Sequence, residues 1–255
     1  MNSSEANVTA STASAVRGPD AGKIRSMFSG IAGRYDLANT ILSGGIHHLW
    51  RQSLVDWSGA RAGHSVLDCA TGTGDLAIAF KSVVGHEGQV TGTDFCAEML
   101  GPAPAKAAAR GYEIGFSQAD VTQLPFADAS FDIASISFGI RNVDQPLKGL
   151  SELARVVRPG GAVMVLEFGQ PETPLIADAY RLYSEKILPR LGGWITGAPE
   201  AYQYLQASSS QFPCGNAFLD LMNSTGRFAQ VEARRLSFGV AWMYKGVVRA
   251  NEPSV

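Results

Sequence analysis

Cysteine, histidine and charge are all scarce in this chain, and each scarcity removes a class of function. Three cysteines (Cys69, Cys96, Cys214) occur in 255 residues, an odd number with no CxxC spacing. A disulfide framework is therefore excluded and a reducing cytoplasm is the expected setting. Four scattered histidines give no zinc-ligand pattern either, so no metal is expected. Charged residues make up 17% of the chain, 21 Lys and Arg against 23 Asp and Glu, and no basic run occurs. A nucleic-acid groove needs clustered cations to displace counterions, so no nucleic-acid partner is expected. No apolar run reaches the roughly 18–20 residues of a membrane span. The segment from Met1 to Ala15 is rich in Ser, Thr and Ala, lacks an apolar core, and precedes the first basic side chain, Arg17. It reads as a disordered tail rather than a signal or transit peptide.

What is present fits one large α/β domain: 45% hydrophobic residues and 28 glycines. From Ser65 onward short apolar runs alternate with helical spacing. Strands are predicted at 65–69, 89–94, 112–117, 131–137 and 162–168, and helices at 75–84, 97–110 and 145–157. Such alternation builds a mostly parallel sheet with helices on both faces. "RPGG" (158–161) predicts a stop between a helix and the next strand. Two regions break the repeat: 23–58 reads as two helices joined at "SGG" (43–45), and 172–212 as a helical insertion before strands near 228–236 and 240–248. The expected organisation is a tail (1–22), one domain (23–250) with an N-terminal helical cap (23–60) and the 172–212 insertion, and a short tail (251–255).

"LDCATGTGDLA" (67–77) is a strand, a glycine turn and a helix start. Gly72, Gly74 and Ala77 satisfy a dinucleotide fingerprint, with Asp94 placed twenty residues on. Charge argues against a dinucleotide. Asp75 stands where a pyrophosphate would meet the helix N-terminus, and Asp68 adds a second carboxylate. Two carboxylates suit a ligand bearing ammonium and sulfonium charge, S-adenosylmethionine. Asp94 can then accept from the ribose hydroxyls, Met99 can pack on adenine, and Asp120 with the Val121 N–H can meet the adenine edge.

Through these motifs the chain resembles the class I methyltransferases and, within them, the UbiE/MenG family of ubiquinone and menaquinone C-methyltransferases. The carriers are "FSGIAGRYDLANTILSGGIHHLWR" (28–51), "VLDCATGTGDLA" (66–77), "LPFADASFDIASISFGIRNV" (124–143), "ELARVVRPGGAVMVLEF" (152–168) and "LPRLGGWITGAPEAYQYLQASSSQFP" (188–213). The resemblance implies a Rossmann-like seven-stranded sheet, and cofactor contacts from Thr73, Asp94, Asp120, Val121 and Ser137. It departs at Cys69-Ala70, where glycines are common. It also implies a reduced polyprenyl quinone as substrate, demethylmenaquinol before a ubiquinone-type benzoquinol, with other quinone-biosynthesis enzymes as candidate partners. Oligomeric state leaves no trace in these motifs.

Ring carbon is a weak nucleophile, so the ring must be activated at a hydroxyl. The resemblance implicates Arg141 and Asn142 in that step. An arginine stays protonated, so Arg141 is expected to stabilise the developing phenolate and Asn142 to orient it. Tyr35 is expected to close over the ring, whereas His47, beside His48, reads as a surface residue. A nicotinamide oxidoreductase is disfavoured by Asp75, a nucleic-acid amide methyltransferase by the lack of any Pro-Pro pair, and Cys214 in "FPC" reads as structural. A non-catalytic cofactor-binding protein is the third rival. A cytoplasmic protein with transient, peripheral attachment to the membrane is expected, through one helical face of 175–195: Leu175, Ile176, Ala179, Leu182, Tyr183, Ile187, Leu191 and Trp194.

Overall fold

A computed structural model describes residues 18–31 and 35–250. The expected tails at 1–17 and 251–255 lie outside the described residues. Residues 18–22, counted above as tail, are ordered instead: the Gly18 N–H donates to the Asp144 carbonyl at 2.8 Å, and Ala21 and Gly22 open a helix. Among the described residues three helices come before the sheet, where the pattern suggested two: α1 (Ala21–Ile31), α2 (Tyr35–Ser43) and α3 (Ile46–Ser58). Gly44 and Gly45, at φ +58° and +80°, turn the chain between α2 and α3.

The sheet has seven strands in the order β3-β2-β1-β4-β5-β7-β6. In chain order these are β1 (Ser65–Cys69), α4 (Asp75–Val84), β2 (Gln89–Asp94), α5 (Ala97–Leu100), α6 (Ala103–Ala108), β3 (Gly115–Gln118), β4 (Phe131–Ser137), α7 (Pro146–Val156) and β5 (Val157–Phe168). An insertion follows: α8 (Pro174–Leu182), a wide π-type turn (Tyr183–Ile187), α9 (Leu188–Thr196) and α10 (Pro199–Gln211). Then come α11 (Asn216–Ser224), β6 (Phe228–Leu236) and β7 (Ala241–Val248). Pairing is parallel from β3 through β5, and β7 is antiparallel to both its neighbours. This is the seven-stranded, mostly parallel architecture expected.

Two local expectations differ. The helix expected over 97–110 divides at Gly101-Pro102, because proline removes a donor and fixes the turn. "RPGG" does not separate α7 from its strand. It forms a bulge inside β5, with Phe131 opposite Val157 but Ile133 opposite Ala162.

Two apolar layers hold the sheet. On one face Leu150 and Leu153 of α7 and Phe218 and Met222 of α11 pack over Ala134, Ile136 and Tyr244. On the other, Trp50 and Leu54 of α3 and Leu76 and Phe80 of α4 pack over Val66, Met164 and Leu166. The central strand β4 is buried along nearly its whole length, as its apolar and small residues require, with Asp132 the one charged residue in the run. Successive connections reverse direction between β1 and β4, so the loops leaving their carboxyl ends diverge and open a crevice there. The functional side chains gather at that crevice.

Candidate active site

Two chambers meet at the carboxyl ends of β1, β2, β4 and β5. The first, about 240 Å³, is lined by the glycine loop, the end of β2, Met99, Asp120, Val121, Ser137 and Asn142, with Ile24, Arg25 and Phe28 of α1 closing it. Ala70, at φ +49°, begins the loop in a left-handed conformation, which a glycine would adopt with less strain. The loop is fastened to β2: the Thr71 N–H donates to the Thr93 carbonyl, and the Gly72 N–H donates to Asp94 Oδ2 at 2.9 Å. The other Asp94 oxygen accepts the Cys96 N–H at 2.9 Å. Burial raises the Asp94 pKa above its ordinary value against these two donors. A carboxylate held rigid at this strand end has lone pairs left for a vicinal diol.

Asp120 Oδ1 accepts both the N–H and the hydroxyl of Thr122, at 2.8 Å each, which fixes its carboxylate at the chamber wall. Met99 Cε lies 3.5 Å from where a side chain on Gly72 would begin. Ser137 Oγ is buried and has no partner among the described residues. An orphaned hydroxyl in a chamber edged by carboxylates and a thioether fits a polar, cationic nucleoside.

Three expected contacts fall elsewhere. Asp68 does not line the chamber; it lies beneath the loop, accepting from Thr71 Oγ1 (2.6 Å) and Ser135 Oγ (2.7 Å). Burial pushes its pKa up to about 6 despite those donors. Thr73 points away from the chamber, its hydroxyl 2.6 Å from Asp36 Oδ1 of α2 and accepting from Lys106. Gly74, at φ +85°, faces Ala103 and Phe116, where a side chain would come within 3.1 Å of both. Asp75 also corrects the charge argument made for it. Burial disfavours its charge, but Arg51 (2.9 Å) and Lys106 both bind its carboxylate and hold its pKa below the ordinary range. Its negative charge is therefore compensated and does not stand open to repel a phosphate. His47, His48 and Asp75 bring ligand atoms within 4.8 Å of one another. Asp75 is already saturated by two cations, so this group is a charge network rather than a metal centre.

The second chamber, about 320 Å³, is larger and mostly apolar. Its walls come from distant stretches: Met27 and Phe28 of α1, Ser43, His47 and Trp50 of α2 and α3, Phe138 and Phe168 at the strand ends, and Tyr180, Tyr183, Tyr202 and Tyr204 of the insertion. Phe28 and Phe138 line both chambers. Phe138 sits at φ +56°, a strained position for an aromatic residue, and its ring lies 4.5 Å from that of Phe168.

Arg141 and Asn142, adjacent in sequence, diverge on a short 3-10 turn. Asn142 turns to the first chamber, where its Oδ1 accepts the Tyr204 hydroxyl at 2.9 Å. Arg141 turns to the second. It is 5% exposed, with Nη1 bonded to Glu167 Oε1 (2.6 Å) and to the Phe138 carbonyl (2.7 Å), and its guanidinium lies 5.4 Å from the Phe168 ring centre. Nε is buried without a partner among the described residues, so this donor of the fork is uncommitted. Tyr35 opens α2, but its side chain lies outside the described residues. His47, read as a surface residue, is 5% exposed because α3 lays its first turn along the wall of the second chamber.

Sequence reasoning missed Glu167, Tyr204 and this burial of His47. The signal for Glu167 was an acid ending the apolar run "VMVLEF"; "YQYL" was read only as a family mark.

The ubiE/COQ5 methyltransferase family model matches residues 17–248. The chain is 62% identical over 226 residues to the ubiquinone/menaquinone biosynthesis C-methyltransferase UbiE of Bdellovibrio bacteriovorus, covering 89% of this chain and 96% of that one. To the protein of the same name from Roseobacter denitrificans it is 42% identical, covering 90% and 92%. Among solved structures, an Aquifex aeolicus SAM-dependent methyltransferase superposes with a TM-score of 0.54 at 18% identity, over 78% of this chain and 89% of that one. Haemonchus contortus phosphoethanolamine N-methyltransferase 2, in complex with S-adenosyl-L-methionine, gives 0.56 at 15% identity, over 79% and 52%. These two likenesses bear on the fold alone. From the matched span and the identity, the chain belongs to the ubiE/COQ5 methyltransferase family.

Proposed function

We propose that this S-adenosylmethionine-dependent C-methyltransferase of quinone biosynthesis methylates the ring of demethylmenaquinol, a reduced naphthoquinone with a polyprenyl tail. One observation carries the reading: a large aromatic-walled chamber adjoins the polar one, with Phe138 standing between the two. A two-ring naphthoquinol buries more aromatic surface against Trp50, Phe168 and Tyr202 than a single ring does.

Asp94, Gly72, Asp120, Val121, Met99 and Ser137 would hold the methyl donor, with Asp68 supporting the loop from beneath. When bound, S-adenosylmethionine supplies an electrophilic methyl group on a sulfonium sulfur. Arg141 offers its unpaired Nε edge to the ring oxygen and stabilises negative charge as it develops there. Glu167 keeps the guanidinium in place and leaves the pair neutral overall, which lets it stay in an apolar wall. The Asn142–Tyr204 bond ties the insertion to the end of β4, so both chambers keep one geometry while the reactants are held in line.

Attachment to the membrane is peripheral in this reading. Among the described residues no helix is long and apolar enough to cross a bilayer. The insertion instead presents Leu175 (81% exposed), Leu182, Ile187, Leu191 and Trp194 (85% exposed) to solvent. The substrate reading is tested by transfer of a labelled methyl group to reduced demethylmenaquinone and to a reduced polyprenyl methoxy-benzoquinone, with product masses compared. A product from the naphthoquinol at the higher kcat/KM is expected. Turnover confined to the benzoquinol would make the chain a ubiquinone-branch enzyme, and turnover of neither would remove the quinone reading.

A further inference from the structure

We propose that His47 is the proton acceptor for the ring hydroxyl, with Ser43 fixing which of its nitrogens carries the lone pair. This rests on the reading that a reduced quinone occupies the aromatic chamber. His47 and Ser43 both line that chamber, as does Arg141. His47 Nδ1 lies 2.6 Å from Ser43 Oγ, one turn earlier across the Gly44-Gly45 break. With the serine oxygen accepting from Nδ1–H, Nε2 carries the lone pair, and Nε2 has no hydrogen-bond partner among the described residues.

The other polar groups of the chamber are unsuited to the task. Arg141 remains a cation. Glu167, behind it, already accepts from Arg141 and from the Phe168 N–H. Burial raises the pKa of Tyr180, Tyr183 and Tyr204, and the last two donate to the Leu42 carbonyl and to Asn142. Asn39, Ser43 and Ser237 have no basic atom of useful strength. His47 is the one described wall residue with a neutral nitrogen base.

The charges that act on it come from three elements: Arg51 and His48 share its helix, Asp75 lies on α4 and Asp36 on α2, while Arg141 lines the same chamber from the turn after β4. Burial, Arg51 and His48 lower the His47 pKa to about 4 against the opposing pull of Asp75 and Asp36. The imidazole is therefore neutral throughout the physiological range, and the same shift makes it a weak base. It does not ionise the quinol in advance. Imidazolium and phenolate form together, each offsetting the other's charge, with Arg141 also facing the oxygen.

The O–H bond breaks, its proton goes to Nε2, and its electron pair stays on oxygen and enriches the adjacent ring carbon. That carbon bonds to the methyl group as the C–S bond breaks, its pair remaining on sulfur. The ring carbon then loses its hydrogen as a proton to water, the ring regains aromaticity, and the oxygen recovers its proton from His47. One proton is released per methyl transferred.

The test compares wild type, His47→Gln, His47→Ala and Ser43→Ala on a short-tailed reduced naphthoquinone between pH 5.5 and 9, with S-adenosylmethionine affinity measured by calorimetry. His47→Gln should lower kcat about 10²–10³ fold with cofactor affinity within about twofold. Its rate should climb about tenfold per pH unit, as hydroxide replaces the lost base, where wild type stays flat. Imidazole should restore His47→Ala with saturation, and Ser43→Ala should lose about tenfold in kcat. A His47→Gln enzyme with wild-type kcat, or one with a reduced but flat profile and no imidazole rescue, overturns the proposal. Should His47→Gln fail to bind cofactor, an unchanged Ser43→Ala together with no imidazole rescue of His47→Ala overturns it equally. Failure of the wild-type arm on every reduced quinone refutes the underlying substrate reading instead.

Discussion

The two chambers are built by different physics. The cofactor chamber is cut into the sheet itself: its loop is fixed by backbone donors to Asp94, and Asp120 is fixed by Thr122, all inside the single stretch that runs from β1 to the loop after β3. The second chamber is assembled by packing, from three N-terminal helices, two strand ends and an insertion near the other end of the chain. The buried ion pair Arg141–Glu167 sits where the two constructions join. A pocket ruled by hydrogen bonds tolerates little change in ligand shape, whereas an aromatic pocket held by helices can admit a bulky ring and tail. The division matches a constant methyl donor and a greasy acceptor.

Breaking the join should have the largest effect. Arg141→Ala should lower turnover on reduced quinone by about 10²–10³ fold while cofactor affinity stays nearly intact, the pattern of a group acting in the transition state. Because Glu167 would be left buried and unpaired, stability should also fall by roughly 3–5 kcal/mol. The double variant Arg141→Met, Glu167→Gln separates the two roles. Denaturant melts should recover most of the stability while turnover stays low. Recovery of both would make the arginine purely structural.

Next in size is a change confined to the cofactor chamber. Asp94→Ala removes the acceptor for the Gly72 and Cys96 N–H groups as well as the proposed ribose contact. S-adenosylmethionine binding should weaken by roughly 2–4 kcal/mol, read by calorimetry, with quinone KM changed much less. Unchanged affinity would take Asp94 out of the site. A parallel loss in quinone binding would mean the two chambers are not separable.

The same contrast explains what could be read from the chain beforehand. The sheet end was legible because its residues are local: "LDCATGTGD" and the acid that ends β2 stand in one βαβ unit. Even there, a residue type revealed its charge but not its partners. Asp75 looked open to solvent ligands and is neutralised by Arg51 of α3 and Lys106 of α6, which flank it from either side of the chain. Thr73 looked like a cofactor contact and instead joins Asp36 of the cap. The aromatic chamber was largely illegible, since no local pattern tells that "GIHHLW" will meet "AYQYL". His47 was misplaced for that reason, although the apolar spacing of Ile46, Trp50 and Leu54 already marked which face of its helix turns inward.

The smallest expected effect tests how the outer chamber meets its substrate. The single helical stripe expected over 175–195 is divided in the structure, because the π-type turn at Tyr183–Ile187 adds a residue and rotates the helix. Tyr180, Tyr183 and Leu188 thereby turn into the chamber, while Leu175, Leu182, Ile187, Leu191 and Trp194 remain outside. One surface thus lines the aromatic chamber and the opposite one is exposed, the face proposed above to meet lipid. A polyprenyl tail is held in a bilayer by about 0.8 kcal/mol per methylene, so the proposed substrate requires an enzyme that approaches the membrane rather than extracts it. Trp194→Ser and Leu191→Ser should each weaken vesicle binding by about 1–2 kcal/mol, the scale of one partly buried apolar side chain. Turnover of a short-tailed soluble quinol should stay within twofold of wild type. Flotation with liposomes containing long-tailed quinone, paired with kinetics on the short-tailed substrate, checks both statements. Equal flotation of all three proteins would move the membrane contact away from α9. Equal losses on short and long tails would assign Trp194 and Leu191 to chamber packing instead of to lipid.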